Sequence, residues 1–275
     1  MSQAIFCILS EFFGYADDGG DVIHGDSKES CNKAIKLVLE QRVKWFRNIG
    51  LALNPKKTEL MGFNFIPDQV TIGDVIINPK SEITFLGVKI QSDLKWTSHV
   101  SSLCAKIRGA AGRIRSDGRH LRVSEKRILY QGWIQGLIHS NGLAYLPTLN
   151  KSELHDIQTA MNAGIRSIVG LPRYGHAEIT ALRHKLNLPS IIALKDRIVA
   201  VAAWSRFAET TLEQEFCGPT TRARKNRNLP LTDQRGHAGK ISTSFLVKAW
   251  NELPLSVKNL RSKNTVKSHI KKMFI

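Results

Sequence analysis

The stretch Phe12-Phe13-Gly14-Tyr15-Ala16-Asp17-Asp18-Gly19-Gly20-Asp21-Val22-Ile23 constrains this chain more than any other. An apolar run enters, two adjacent carboxylates sit in the middle, and a second apolar run leaves. Gly and Asp supply the backbone angles of a tight turn, so the pattern predicts a β-hairpin with a loop of two residues or slightly more. Neighbouring Asp side chains at a turn tip offer the oxygens that a hard divalent cation prefers. With phosphates completing the shell, such a pair suits in-line transfer assisted by two metals. From these residues alone, a surface turn with solvated acids is the competing reading.

Charge separates this stretch from the rest. Residues 1–30 hold six acids against one base, Lys28, a net of −5; the remainder holds 39 bases and 17 acids, a net of +22. A small acidic mouth on a basic body suits a metal site beside a polyanion track, and the partner it favours is nucleic acid. Cys7, Cys31, Cys104 and Cys217 have no metal-ligand spacing and read as free thiols in a reducing, intracellular setting. No apolar run reaches the ~18 residues of a membrane span, and Ala4–Phe13 lacks the basic flank of a signal peptide. A chain that enters a buried-type strand so soon after Met1 reads as the tail of a longer one.

After the hairpin, Asp26 with Glu29 three residues on is the expected cap of a helix. Its apolar positions are Ile35, Val38, Leu39, Val43 and Phe46, and Gly50 ends it. Asn54-Pro55 reads as a turn and Thr58–Phe63 as a strand. Val70–Ile72 and Val75–Ile77 around Gly73-Asp74 read as a small hairpin. Ile83–Ile90 reads as one strand with Gly87 inside it and with Phe85 and Val88 on different faces.

From residue 97 the pattern is helical. Residues 98–116 carry Lys106, Arg108, Arg113 and Arg115 among small residues and no acid. Such a helix suits a sugar-phosphate backbone, and a solvated basic face is the alternative. A helix is expected over 124–145, with Ile128, Trp133, Leu137 and Ile138 as core candidates, and another over 151–169. Two more flank Pro189. Thr220–Lys240 breaks the pattern with Arg222, Arg224, Lys225 and Arg227, a run suited to phosphate contact. Beyond Glu252 come six bases and no acid: Lys258, Arg261, Lys263, Lys267, Lys271 and Lys272.

Tyr15-Ala16-Asp17-Asp18 resembles the Y-A-D-D box of reverse transcriptases. Gly50-Leu51 through Asn54, Lys57 and Thr58 is similar to the G-L-x-x-N-x-x-K-T segment that follows this box in non-LTR (LINE-type) retrotransposon enzymes. The runs Phe85-Leu86-Gly87-Val88, Leu94-Lys95-Trp96 to His99, and Trp250-Asn251 to Pro254 resemble later blocks of the same class, in the same order. What the resemblance implies is an α+β chain in three parts. Residues 1–95 would be a partial palm with a catalytic β-hairpin, a helix and a small antiparallel sheet. Residues 96–215 would be an all-helical thumb, and 216–275 a basic linker with C-terminal helices.

The implied chemistry is RNA-directed DNA synthesis in target-primed retrotransposition, with Asp17 and Asp18 on magnesium. Tyr15 and Ala16 would lie beside the nucleotide and Lys57 near the departing pyrophosphate. Phe85, Leu86 and Gly87 would grip the primer. Lys95, Lys106, Arg108, Arg113, Arg115, Arg222, Arg224, Lys225 and Arg227 would hold RNA template and DNA primer, in cytoplasm and nucleus. The family also uses an F-x-D-x-x-x-A-F-D run with a third carboxylate, a P-Q-G-type gating loop and basic fingers. None occurs in this sequence, so the chain by itself is expected not to polymerise. The alternative is a basic helical module that binds RNA or DNA without catalysis.

Overall fold

A computed structural model describes residues 10–15, 18–172, 178–213, 228–229 and 244–274. The fold is α+β: small antiparallel hairpins come first and helices follow. The chain forms two compact units, Met1–His99 and Val100–Ile275.

In the first unit, β1 (Ser10–Tyr15) pairs with β2 (Asp18–Ile23) in the register Tyr15↔Asp18, Phe13↔Gly20, Glu11↔Val22. The helix α1 runs Lys28–Asn48. Its cap is Ser27, not Asp26: Ser27 Oγ accepts from the Ser30 N–H, and Ser30 Oγ accepts from the Ser27 N–H, each at 3.1 Å. Asp26 stands one residue too early, which leaves Glu29 at the second helical position, where it cannot close the box. At the far end the Leu51 and Gly50 N–H groups return to the Phe46 and Arg47 carbonyls, and Gly50 takes φ +77°. That is a glycine-dependent stop.

The expected strand over 58–63 is absent. Thr58 is drawn back into the Asn54-Pro55 turn, its N–H and Oγ1 both donating to the Asn54 carbonyl at 3.1 and 2.9 Å. Only an isolated parallel bridge, Leu60↔Pro79, follows. The strands β3 (Val70–Ile72) and β4 (Val75–Ile77) form the expected hairpin, with Gly73 at φ +59°. Their buried Val70, Ile72 and Ile77 pack with Ile35, Leu39 and Val43 of α1.

The segment 83–90 is two strands, not one. The pair β5 (Glu82–Phe85) and β6 (Val88–Gln91) meets in the register Phe85↔Val88, and Leu86-Gly87 makes the turn. Both turn residues have positive φ, +47° and +82°, which fits the right-handed twist of a two-residue hairpin. Phe85 and Val88 are therefore cross-strand partners on one face, which corrects the expectation of opposite faces.

The second unit takes in nearly all of α2 (Thr97–Ser116). It continues with α3 (Val123–Tyr130), a π-helical segment Gln131–Gln135 and α4 (Gly136–Tyr145). A short 3-10 turn, Leu146–Thr148, leads to α5 (Lys151–Val169), α6 (Ile179–Lys185) and α7 (Ile191–Glu213). The last elements are α8 (Ser244–Glu252), α9 (Leu255–Lys258) and α10 (Lys263–Met273).

The π segment adds a residue to its turn and rotates the buried stripe. Tyr130, Ile134 and Ile138 point inward, while Ile128 is 66% exposed and Trp133 39% exposed. Ile128 stands about 200° around α3 from buried Tyr130, on the opposite side of the helix, and Trp133 falls outside the stripe that the π segment sets, so neither belongs to the core, contrary to expectation. On α5, Gly164 has no side chain because a Cβ there would overlap Ile134 and Tyr130. The C-terminal helices share a core with α7: Ala200, Ala203 and Trp204 pack with Trp250, Leu253, Val257, Val266 and Ile270.

Candidate functional site

Alternation along a hairpin gives two faces. In β1–β2 the front carries Glu11, Phe13, Tyr15, Asp18, Gly20 and Val22. The back carries Ser10, Phe12, Gly14, Gly19, Asp21 and Ile23. Ala16 and Asp17, the two residues between the strands, lie outside the described residues.

The back rests on α1. The Phe12 ring spreads over Gly14 and Gly19, at both of which a Cβ would lie 3.1 Å from the ring. Trp45 meets Phe12 edge-on at 6.3 Å, and the Arg42 guanidinium sits 4.2 Å from the Phe12 centroid. Arg42 also grips Asp21: Nε donates at 3.1 and 3.0 Å to the two carboxylate oxygens, and Nη2 donates at 2.7 Å. That pairing raises the Arg42 pKa against the opposing effect of burial. The pairing of Asp21 with Arg42 was not legible from local pattern.

The front meets the second turn. A Cβ on Gly20 would stand 3.6 Å from the Phe85 ring, so β2 and the 85–88 hairpin are in van der Waals reach. Asp18 is exposed on this front, enters no ion pair among the described residues, and shares the face with Tyr15, which is 70% exposed. Leu86, also exposed, tips the facing turn at φ +47°, a conformation that costs a non-glycine residue about 1–3 kcal/mol. Gly20, on the face that also carries Asp18, is thus brought against Phe85.

Among the described residues, no three His, Cys, Asp or Glu side chains gather into a metal-binding group. Asp21, the next carboxylate along, is committed to Arg42. Asp18 can supply one ligand of a magnesium shell and not the whole of it.

Lys57 is exposed in the 54–58 turn, its N–H donating to the Asn54 carbonyl, and its ammonium group enters no ion pair among the described residues. Lys95 is tied to Asp93 at 3.2 Å, an exposed pair of little energetic weight. The Trp96–His99 block has a structural role. Buried His99 accepts from the Lys89 N–H at 3.3 Å, and Gln91 Oε1 accepts from Ser98 N and Thr97 Oγ1, which caps α2.

In the second unit, α2 buries Leu103, Cys104, Ile107, Ala110, Ala111 and Ile114. Its opposite side is flat: Ala105, Gly109 and Gly112 are exposed, and open space faces both glycines. Helical spacing sets Arg108 and Arg115 along one margin of this strip and Lys106 and Arg113 along the other. All four are exposed, although Arg115 also donates to the Leu171 carbonyl at 2.7 Å.

The terminal bases do not act alike. Lys258 is 1% exposed; its Nζ donates to Asn228 Oδ1 at 2.8 Å and stands 5.5 Å from the Trp250 ring. Asn251 meanwhile accepts from the Leu229 N–H and donates to its carbonyl, at 2.8 and 2.9 Å. The Trp250-to-Pro254 block thus clasps residues 228–229, and Lys258 is removed from any phosphate-facing surface. Arg222, Arg224, Lys225 and Arg227 lie outside the described residues.

Among the described residues, no helix is long and apolar enough to cross a membrane. No protein-family model, curated protein or solved structure matches the chain.

Proposed function

We propose that this chain supplies the carboxylate hairpin and duplex-holding helices of an RNA-directed DNA polymerase of the non-LTR retrotransposon class. The observation that carries the reading is a contact between two hairpins, β1–β2 and β5–β6. The face bearing Asp18 packs at Gly20 against Phe85, the first residue of the proposed primer grip. In this reading the first unit is a partial palm, and α2 begins a thumb.

Asp17 and Asp18 would hold magnesium; when bound, it neutralises charge developing on the nucleotide phosphates. Tyr15 and Ala16 border the nucleotide. Lys57 sets a cation near departing pyrophosphate. Phe85, Leu86 and Gly87 seat the primer end, with Leu86 held outward by its turn. The strip on α2 admits a sugar-phosphate backbone close to the helix, and Lys106, Arg108, Arg113 and Arg115 straddle it without reading sequence. The partners are an RNA template and a DNA primer in a reducing intracellular compartment. The third carboxylate needed for two metals is not among these residues, so no primer extension is expected from this chain by itself.

A second reading is favoured by the same strip: a basic helical module that binds RNA or DNA, with Asp17 idle. The test is the affinity of the full chain for an RNA–DNA primer–template duplex across a salt series. Both readings expect affinity to fall steeply with salt, and Arg108→Ala with Arg113→Ala to lower the slope by about 2. Salt-independent affinity would refute both. Magnesium that tightens duplex binding in wild type but not in Asp17→Ala selects the polymerase reading.

A further inference from the structure

We propose that Arg42 is a positioning residue for the β1–β2 hairpin, fixing its pose from behind so that the face carrying Asp18 and Gly20 stays against Phe85. The inference rests on the polymerase reading for its purpose, but its geometry stands on its own. One guanidinium holds both strands: Asp21 of β2 by three hydrogen bonds, and Phe12 of β1 through the face of its ring. Phe12 and Asp21 are register partners, so the grip falls on a single rung of the ladder. The held ring lies on Gly14 and Gly19, one rung before the Tyr15↔Asp18 pair that closes the ladder.

Position therefore passes in contact steps from α1 to Arg42, to Phe12, and to the glycines beside Tyr15 and Asp18. An isolated two-stranded hairpin is marginal in water, so an anchor of this kind decides whether the two strands have one pose. Both members of the pair are mostly shielded from solvent, with side-chain exposures of 27% and 17%. A planar two-pronged donor that also stacks is something Lys cannot reproduce.

The experiment uses the full chain, with amide hydrogen exchange read at β1–β2 and, as internal control, at β3–β4, which packs on the same helix. In Arg42→Ala the β1–β2 amides should exchange roughly tenfold faster while those of β3–β4 keep their rate. Arg42→Lys, which keeps charge near Phe12, should recover a minor part. Unchanged β1–β2 rates would overturn the proposal. So would equal acceleration of both hairpins, because Arg42 would then merely stabilise α1. A manganese titration of the same samples separates this from the polymerase reading. Broadening of the Asp18 and Gly19 amides in wild type that weakens in Arg42→Ala supports the positioning role. If wild type shows none, the carboxylate reading fails, and the exchange rates alone decide for or against Arg42.

Discussion

The two units solve the burial problem differently. In residues 100–275, Ile107, Ile114, Tyr130, Ile134, Ile157, Met161, Ile165 and Trp250 have no measurable exposure. In residues 10–99 the core side chains Cys31, Ala34, Val38, Val70, Ile72, Ile77 and Val88 all keep some exposure, from 3% at Ala34 to 8% at Ile72. There Phe12, Phe13, Trp45, Ile49, Leu51 and Ile66 stay exposed, around three sheets of two strands each. Two-stranded sheets gain little stability alone, and clustered exposed apolar groups mark surfaces that other matter covers. The helical unit has a core that supports itself. The hairpin unit is a set of turns, with β1–β2 and β3–β4 resting on one helix, which suits presenting side chains better than resisting unfolding.

Hydrogen exchange across the full chain should show the largest contrast. Amides of α5 and α7 are expected to be protected at least about a hundredfold better than those of β1–β2 and β5–β6. Equal protection would erase the distinction. Core truncations should follow the same division. Trp250→Ala or Ile165→Ala should cost about 3–5 kcal/mol in a denaturant melt of the helical unit, and Ile72→Ala about 2 kcal/mol in the first unit.

The clasp comes next. Asn251→Ala strips two hydrogen bonds from Leu229 and should cost about 1–3 kcal/mol, and Lys258→Met should be milder because it keeps the packing on Trp250. The smallest effect is at alkaline pH. Burial raises the pKa of Tyr130 and Tyr145, so the folded state keeps these protons after the unfolded chain has lost them. Stability should therefore fall as pH rises through the ordinary tyrosine range, near pH 10. In ultraviolet difference spectra these two phenols should ionise only together with unfolding.

Elements with their own punctuation were legible in the sequence. Gly and Asp between apolar runs marked the β1–β2 and β3–β4 hairpins. Ile157, Met161 and Ile165 gave α5 its period, while Asn150 and Glu153 close a cap box and Gly170 stops the helix at φ +75°. What could not be read depends on distance or on a rare backbone choice. Leu86 enters the left-handed region as a bulky residue, so the β5–β6 turn looked like strand. The π segment shifts the register by a residue and leaves Trp133 outside the buried stripe, while Ile128, two positions before Tyr130, lies on the opposite side of α3. Arg42 and Asp21 are 21 positions apart, and nothing local pairs them. Lys258 follows the pattern of a surface base, and only tertiary packing buries it.

The central proposal is that the β1–β2 and β5–β6 hairpins, which meet at Gly20 and Phe85, present their side chains to one ligand. It is tested most directly by mapping manganese-induced broadening of amide signals over the full chain. The account predicts loss of signal at Asp18 and Gly19 together with Phe85, Leu86 and Gly87, and its disappearance in Asp17→Ala/Asp18→Ala. Broadening that spares residues 85–87, or that persists in the double variant, would contradict it.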